Sequence, residues 1–166
     1  MKKYLSLFLF FCLSVAFMSC SRAQKLLGKN YAYALVQLPG NIAVDESGQP
    51  FKRPVKIILT VYLESKSVSI QWDSASINGK TFGIRSFPVT DTVHAIGFDK
   101  QTGKQIEIQK QEGYHLMALY LDLQGGEWKD VAEVEGKTIL LKGRSGNKKI
   151  SLESQPVIWV EGYPAQ

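Results

Sequence analysis

Residues 66–87 read KSVSIQWDSASINGKTFGIRSF, and this stretch decides the fold class. Val68, Ile70 and Trp72 alternate with polar residues, and a period of two is typical of a strand with one buried face. Asn78-Gly79 follows, and this pair favours a two-residue type I′ turn, because both central positions of that turn need a positive φ. The stretch therefore predicts a β-hairpin.

The same signals recur along the rest of the chain. Residues 92–98 and 105–109 flank a predicted hairpin loop from Lys100 to Gly103, and residues 143–147 (GRSGN) predict another loop. The one helical prediction is Glu127 to Val134. Further strands are predicted at 30–38, 54–64, 81–87, 114–123, 138–142, 149–153 and 156–160. Many short strands predict an all-β fold, a single antiparallel β-sandwich of about 8–10 strands. An eight-stranded up-and-down β-barrel is the alternative.

Composition sets limits on the class of protein. The chain has 166 residues, of which 45% are hydrophobic, and this predicts one folded domain rather than a disordered chain. It has 2 Cys and 2 His, too few for a disulfide scaffold, a Cys-rich zinc module or an iron–sulfur protein. The 20 basic and 15 acidic residues give a net charge of +5.

The N-terminus has the pattern of a signal peptide. Met1-Lys2-Lys3 is basic, and residues 4–18 (YLSLFLFFCLSVAFM) are almost wholly apolar. At about 1.5 Å per helical residue, this run is short for a hydrocarbon core of about 30 Å. We therefore predict a signal peptide over residues 1–19, a short stem over 20–29 and a β domain over 30–166.

Phe17-Met18-Ser19-Cys20 resembles the lipobox of bacterial lipoproteins, in which a small residue precedes the cysteine that is lipidated. The resemblance implies lipid attachment at Cys20 and a membrane partner through that anchor. Ser21, in place of Asp, implies an outer-membrane location facing the periplasm. The alternative is cleavage after Ala23, within Ser21-Arg22-Ala23, which would release a soluble periplasmic or secreted protein.

Processing changes what the mature domain offers chemically. Loss of residues 1–19 leaves 18 basic and 15 acidic residues, a net charge of +3, and the aromatic residues do not interleave with a basic patch. We therefore expect no nucleic-acid partner. Cys12 leaves with the signal and Cys20 is acylated or removed, so no thiol remains for catalysis.

Catalytic or metal chemistry based on imidazole would depend on His94 or His115, the two histidines of the chain. Both lie in predicted strands among apolar residues, which favours packed side chains over ligands. A hydrolase or metal enzyme would need one of them to converge with two carboxylates. The sequence therefore predicts no cofactor, no metal site and no enzymatic activity.

Two predicted strands are apolar on both faces, whereas a sandwich strand needs only one apolar face. They contain Ile57-Ile58-Leu59 and residues 116–121 (LMALYL). One interpretation is a central strand whose second face is covered by residues 39–53 or by the segment around Trp128. The other is an exposed face that binds a partner or an apolar ligand. Its predicted members are Tyr114, Leu116, Ala118, Tyr120 and Trp128.

These observations predict an envelope lipoprotein whose non-catalytic β domain binds or assembles with another envelope component. The alternative is a carrier that holds a small apolar ligand in the interior of a barrel.

Overall fold

The computed structural model describes residues 26–37, 47, 56–122 and 131–162. The described residues form ten strands and one 3-10 turn at Val131–Glu133, which confirms the all-β prediction. In chain order the strands are β1 (Leu27–Gln37), β2 (Lys56–Ser65), β3 (Ile70–Ile77), β4 (Lys80–Val89), β5 (Val93–Asp99), β6 (Gln105–Gln109), β7 (His115–Asp122), β8 (Leu140–Ser145), β9 (Lys148–Glu153) and β10 (Val157–Glu161).

All ten strands belong to one hydrogen-bonded sheet, in the order β6-β5-β10-β1-β2-β7-β4-β3-β8-β9. Its two ends, β6 and β9, do not pair with each other, so the sheet is open and differs from the closed eight-stranded alternative. Neighbouring strands are antiparallel except for β1 and β10. A parallel pair needs a long connection, and here the other eight strands lie between the two partners along the chain.

The Asn78-Gly79 turn forms as predicted. Asn78 and Gly79 have φ angles of 50° and 75°, and Ile77 pairs with Lys80 across them. Residues 100–103 also connect β5 to β6 as predicted, and Gly103 has a φ of 65°. The sequence therefore locates these two of its three predicted hairpin turns correctly, whereas β8 extends to Ser145, into the predicted loop 143–147.

Val68 was predicted to face inward, and this prediction is wrong, because the side chain is 67% exposed. β3 begins only at Ile70, two residues later. The Ser65 hydroxyl accepts a bond from the Ser67 amide (3.1 Å), and the Ser69 amide donates to the Ser67 hydroxyl (3.3 Å). Local side-chain bonds of this kind compete with the ladder and form a turn here.

Two hydrophobic clusters explain why some strands are apolar on both faces. β1, β2 and β7 carry one cluster on each side. The aliphatic face carries side chains such as Ala34, Leu59 and Leu119, and it clusters with residues of β3, β8 and β9. The tyrosine face carries Tyr33, Tyr62, Leu116 and Ala118, and it clusters with Ile96 of β5 and Ile108 of β6. A sheet whose two ends each contribute to a core is consistent with a sandwich.

Several predictions fall outside the described residues. They include the signal peptide, Cys20, most of residues 39–53 and Trp128. Of the predicted helix at Glu127 to Val134, the described part contains the 3-10 turn Val131–Glu133. β1 begins at Leu27, inside the segment predicted as a stem. Within the described ranges there is no helix of the length and apolarity that crossing a bilayer requires.

Candidate functional site

The predicted binding face is only partly available at the surface. Leu116 is 1% exposed and belongs to the core of the tyrosine face. Tyr114 and Tyr120 are half-buried, so they alone among the described members of the predicted face retain accessible surface. Trp128 lies outside the described residues. A partner would therefore contact this face through its tyrosines rather than through Leu116.

Tyr120 has an aromatic neighbour that the sequence interpretation did not select. The Phe87 ring lies edge-on to the Tyr120 ring, with 5.6 Å between centroids and an interplanar angle of 73°. Such edge-to-face pairs contribute about 0.5–1.5 kcal/mol beyond area burial. Phe87 nevertheless remains 51% exposed. A large apolar side chain thus lies at the surface of β4, in contact with Tyr120.

The spacing of apolar residues along β4 indicates that Phe87 lies on the opposite face of the strand from Phe82 and Ile84. Phe82 and Ile84 pack against the aliphatic cluster, two residues apart. Phe87 lies three residues after Ile84, and an odd spacing places it on the opposite face of the strand. It faces Ala118 of β7, and Arg85 faces Tyr120. The break in the period of two marks the aromatic residue that belongs to the tyrosine face.

A polar chain of contacts connects Tyr120 to the β5–β6 hairpin. The Tyr62 side chain lies beside that of Tyr120. The Tyr62 hydroxyl and His94 Nε2 are 3.3 Å apart, and the two rings lie 5.3 Å apart. On its other side, His94 Nδ1 is 3.6 Å from a carboxylate oxygen of Asp91. We call Phe87, Tyr120, Tyr62 and His94 the aromatic patch.

The protonation of the tyrosines limits what this arrangement can do chemically. Burial, with smaller contributions from Tyr120 and Tyr33, raises the pKa of Tyr62 above its usual value. Burial, together with the neighbouring Tyr31, raises the pKa of Tyr33 to about 12. Both phenols are therefore neutral near neutral pH. The Asp91–His94–Tyr62 contacts thus present a neutral phenol, suited to hydrogen bonding rather than to attack as a phenolate.

Charged groups of both signs surround the aromatic patch. Arg85 Nε lies 3.5 Å from Asp122 Oδ2; the Arg85 side chain is largely exposed and the Asp122 side chain is partly exposed. Asp91 is also exposed and completes the contact with His94. An apolar centre with a mixed polar rim is the usual layout of a protein–protein interface.

Tyr114 lies apart from this patch and packs on the backbone of β1. A side chain at Gly28 would bring its Cβ to 2.8 Å from Tyr114 Cε1, so only glycine allows this close approach. The Lys66 ammonium lies 5.2 Å from the centroid of the Tyr114 ring. These contacts place Tyr114 between the backbone of Gly28 and the side chain of Lys66.

The described residues do not bring either histidine into a metal site. His115 is exposed and pairs with Ser65 at one end of the β2–β7 ladder. Across the described part of the chain, no three His, Cys, Asp or Glu side chains are grouped so that they could hold a metal ion. The geometry of His94 therefore offers one carboxylate and one tyrosine.

Comparisons with protein-family models, with curated proteins and with solved structures return no match to this chain. The geometry of the described residues is therefore the basis for interpreting the site.

Proposed function

We propose that the chain is an exported lipoprotein, anchored through Cys20, whose β domain binds another envelope protein through the aromatic patch. The observation that carries this proposal is the exposed Phe87 ring held against Tyr120. Aromatic and arginine side chains dominate the binding energy of protein interfaces, and Arg85 faces Tyr120 across the sheet. The partner would insert apolar side chains against Phe87 and pair polar groups with the rim.

The anchor would hold the domain close to the membrane. Six residues, 21–26, separate Cys20 from the start of β1 at Leu27. The seven residue-to-residue steps from Cys20 to Leu27 span about 25 Å even when fully extended. A lipidated domain of this kind would meet partners in or near the same membrane, which favours an envelope component over a soluble one.

The ends of the sheet are less suited to docking than the patch. β6 is only five residues long, and β9 begins with the exposed residues Lys148 and Lys149. Short edge strands and exposed lysines are features by which proteins prevent pairing with a further strand. We therefore favour the aromatic patch over strand addition as the binding mode.

The alternative function, a carrier for a small apolar ligand, depends on the interior of a barrel. The described strands form an open sheet instead. The large apolar side chains of its aliphatic face, such as Leu59 and Leu141, are fully buried within a packed cluster. This arrangement supports the binding-module proposal over the carrier.

Photo-crosslinking in cells that produce the full chain tests the proposal. A photoreactive phenylalanine analogue would replace Phe87 in one version and Val68 in the other. Val68 is the matched control, since it is a large apolar side chain that is also exposed but lies in the turn before β3. We expect a discrete adduct with an envelope protein from position 87 and none of that mass from position 68.

A second variant guards against nonspecific capture. Tyr120→Glu, with the crosslinker at position 87, should remove the adduct, while circular dichroism shows that the fold is retained. An unchanged adduct in a folded Tyr120→Glu protein, or the same adduct from position 68, would refute the patch. An adduct of twice the chain's mass would identify a second copy, and would also contradict binding to a different protein.

A further inference from the structure

A pocket lies between the β5–β6 loop and β10, away from the aromatic patch. Its volume is about 410 Å³. Asp99 at the end of β5 and Lys100 and Gln101 of the loop line one side. Ile158 and Trp159 of β10 line the other. Glu135, which follows the 3-10 turn, completes the lining. The pocket therefore combines one aromatic ring with charged side chains of both signs.

The ring of Trp159 already holds a cation. The Lys100 ammonium lies 3.3 Å from the centroid of the indole ring. Trp is the aromatic side chain with the strongest cation–π attraction, because its π face carries the most negative potential. Lys100 is largely exposed, so its flexible side chain can leave the ring for water at little cost.

Apart from Lys100, the charged residues that line the pocket are the carboxylates Asp99 and Glu135. Asp99 Oδ1 accepts bonds from the Thr102 amide (2.7 Å), the Thr102 hydroxyl (2.9 Å) and the Gln101 amide (2.9 Å). The backbone and side-chain hydrogen bonds of Thr102 lower the pKa of Asp99, so its carboxylate is ionised. Glu135 is exposed and adds a second carboxylate. With Lys100 displaced, two negative charges and an aromatic face remain.

We propose that this pocket binds the ammonium group of a small primary amine, which displaces the Lys100 ammonium from the face of Trp159. Lys100 acts as an internal occupant that keeps the site filled until the amine is present. This site is independent of the proposed partner surface, because it shares no residue with the aromatic patch.

The lining favours a primary over a quaternary ammonium. A quaternary group has no N–H to donate and is recognised by cages of several aromatic rings. Trp159 is the one aromatic ring among the lining residues, whereas Asp99, Glu135 and the Gln101 amide offer hydrogen-bond acceptors. A primary ammonium has three donors for such acceptors.

Titration with n-butylammonium, which has the length of a lysine side chain, tests the proposal by two-dimensional NMR. The indole N–H of Trp159 is a suitable reporter, because it is buried and lacks a hydrogen-bond acceptor among the described residues. Lys100→Ala frees the ring, and Lys104→Ala is the matched control, since Lys104 belongs to the same loop but does not line the pocket. We expect Lys100→Ala to bind the amine roughly five-fold more tightly than Lys104→Ala, because internal occupancy lowers apparent affinity.

Further ligands and a second variant test whether binding depends on the charge and N–H groups of the amine and on Glu135. In the Lys100→Ala background, Glu135→Gln should weaken n-butylammonium, and both tetramethylammonium and neutral n-butanol should bind more weakly than the primary amine. Equal affinity in Lys100→Ala and Lys104→Ala would overturn the proposal. Tighter binding of butyrate than of n-butylammonium to the unaltered protein would also overturn it, since Lys100 would then hold an anion.

The amine could be free or part of a lipid headgroup, and a last arm separates these sources. The Lys100→Ala protein is mixed with free ethanolamine and with vesicles that contain either phosphatidylethanolamine or phosphatidylcholine. Shifts of the Trp159 indole with free ethanolamine support a soluble ligand, and selective sedimentation with phosphatidylethanolamine vesicles supports a headgroup. The absence of both responses would contradict the proposal.

Discussion

Gly143 lies directly opposite Trp72 in the β3–β8 ladder, and the bulky indole fits there because Gly143 has no side chain. A Cβ at Gly143 would collide with the backbone oxygen of Gln71 and lie 3.1 Å from Trp72 Cε3. The next residue of β3, Asp73, is the extra residue of a β-bulge. Arg144 holds its carboxylate with contacts of 3.2 Å to both oxygens. A large core residue and a bulge are thus accommodated by one glycine.

Gly143→Ala should lower the free energy of unfolding by about 2–3 kcal/mol, because the added methyl group forces backbone and Trp72 apart. Gly83→Ala is the matched control: Gly83 also lies in a strand, but the nearest atom to its Cβ would be 3.9 Å away. That change should be neutral or slightly stabilising. Urea unfolding of both variants measures the difference, and equal stabilities would show that the close approach at Gly143 is not required.

Gly143 also shows which structural requirements cannot be predicted from local sequence patterns. A period of two and the Asn78-Gly79 turn are local signals, and they predicted ten strands close to those observed, except that β3 begins at Ile70 rather than at Lys66. The prediction placed Gly143 in a loop, whereas β8 continues to Ser145 and the turn follows at Gly146. The reason for this glycine is a packing contact with a residue about seventy positions away. Such a requirement has no local pattern.

The same distinction applies to the candidate sites. The sequence showed that the strand over residues 116–121 is apolar on both faces, but the cover contributed by Ile96 and Ile108 depends on how distant strands fold together. Phe87 was detectable from the break in its strand's period. The contact between Lys100 and Trp159 was not, because nothing along the chain relates a hairpin loop to β10.

Glu64 should be essential to stability, although it carries a charge. It is 0% exposed, and its carboxylate accepts the backbone N–H of Lys29 (3.2 Å) and of Gln111 (2.9 Å). Glu64→Ala would leave two backbone donors without their acceptor and should cost about 3 kcal/mol. Glu107→Ala, on an exposed position of β6, should change stability by less than about 0.5 kcal/mol. Denaturant unfolding that gives similar losses for both would refute this role.

Alkaline pH should destabilise the protein through Tyr33. Its pKa is about 12 in the folded state, whereas the ordinary value is 10.0, so the folded state retains the proton when the unfolded state has lost it. The stabilisation is complete below pH 10 and is lost as the pH rises from 10 to about 12. At 1.36 kcal/mol per unit, the loss is about 2–3 kcal/mol. Tyr33→Phe should show a correspondingly smaller decline in unfolding free energy, and an unchanged pH profile would contradict the buried phenol.

The anchor makes a prediction that mass spectrometry can decide. If Cys20 is lipidated, the mature protein begins at Cys20, has the mass of residues 20–166 plus the attached diacylglyceryl group, and fractionates with membranes. Cys20→Ser should move it to the soluble fraction, because its attachment to the bilayer then lacks the lipid. A mature chain that begins at Gln24, with no lipid, would instead support cleavage after Ala23.

Hydrogen exchange should identify the β5–β6 hairpin as the first part of the described sheet to open. Only two residue pairs join β5 to β10, Val160 with Asp99 and Glu161 with Phe98, whereas nine join β1 to β2. A two-stranded hairpin is marginally stable by itself, so detachment should expose its amides.

His94→Ala removes the 3.3 Å contact with Tyr62 and should accelerate exchange in β5 and β6, but not in β8 and β9. His115→Ala is the control, since His115 is exposed. Equal protection of β5 and β1, or equal effects of the two histidine variants, would show that the hairpin is held by other contacts.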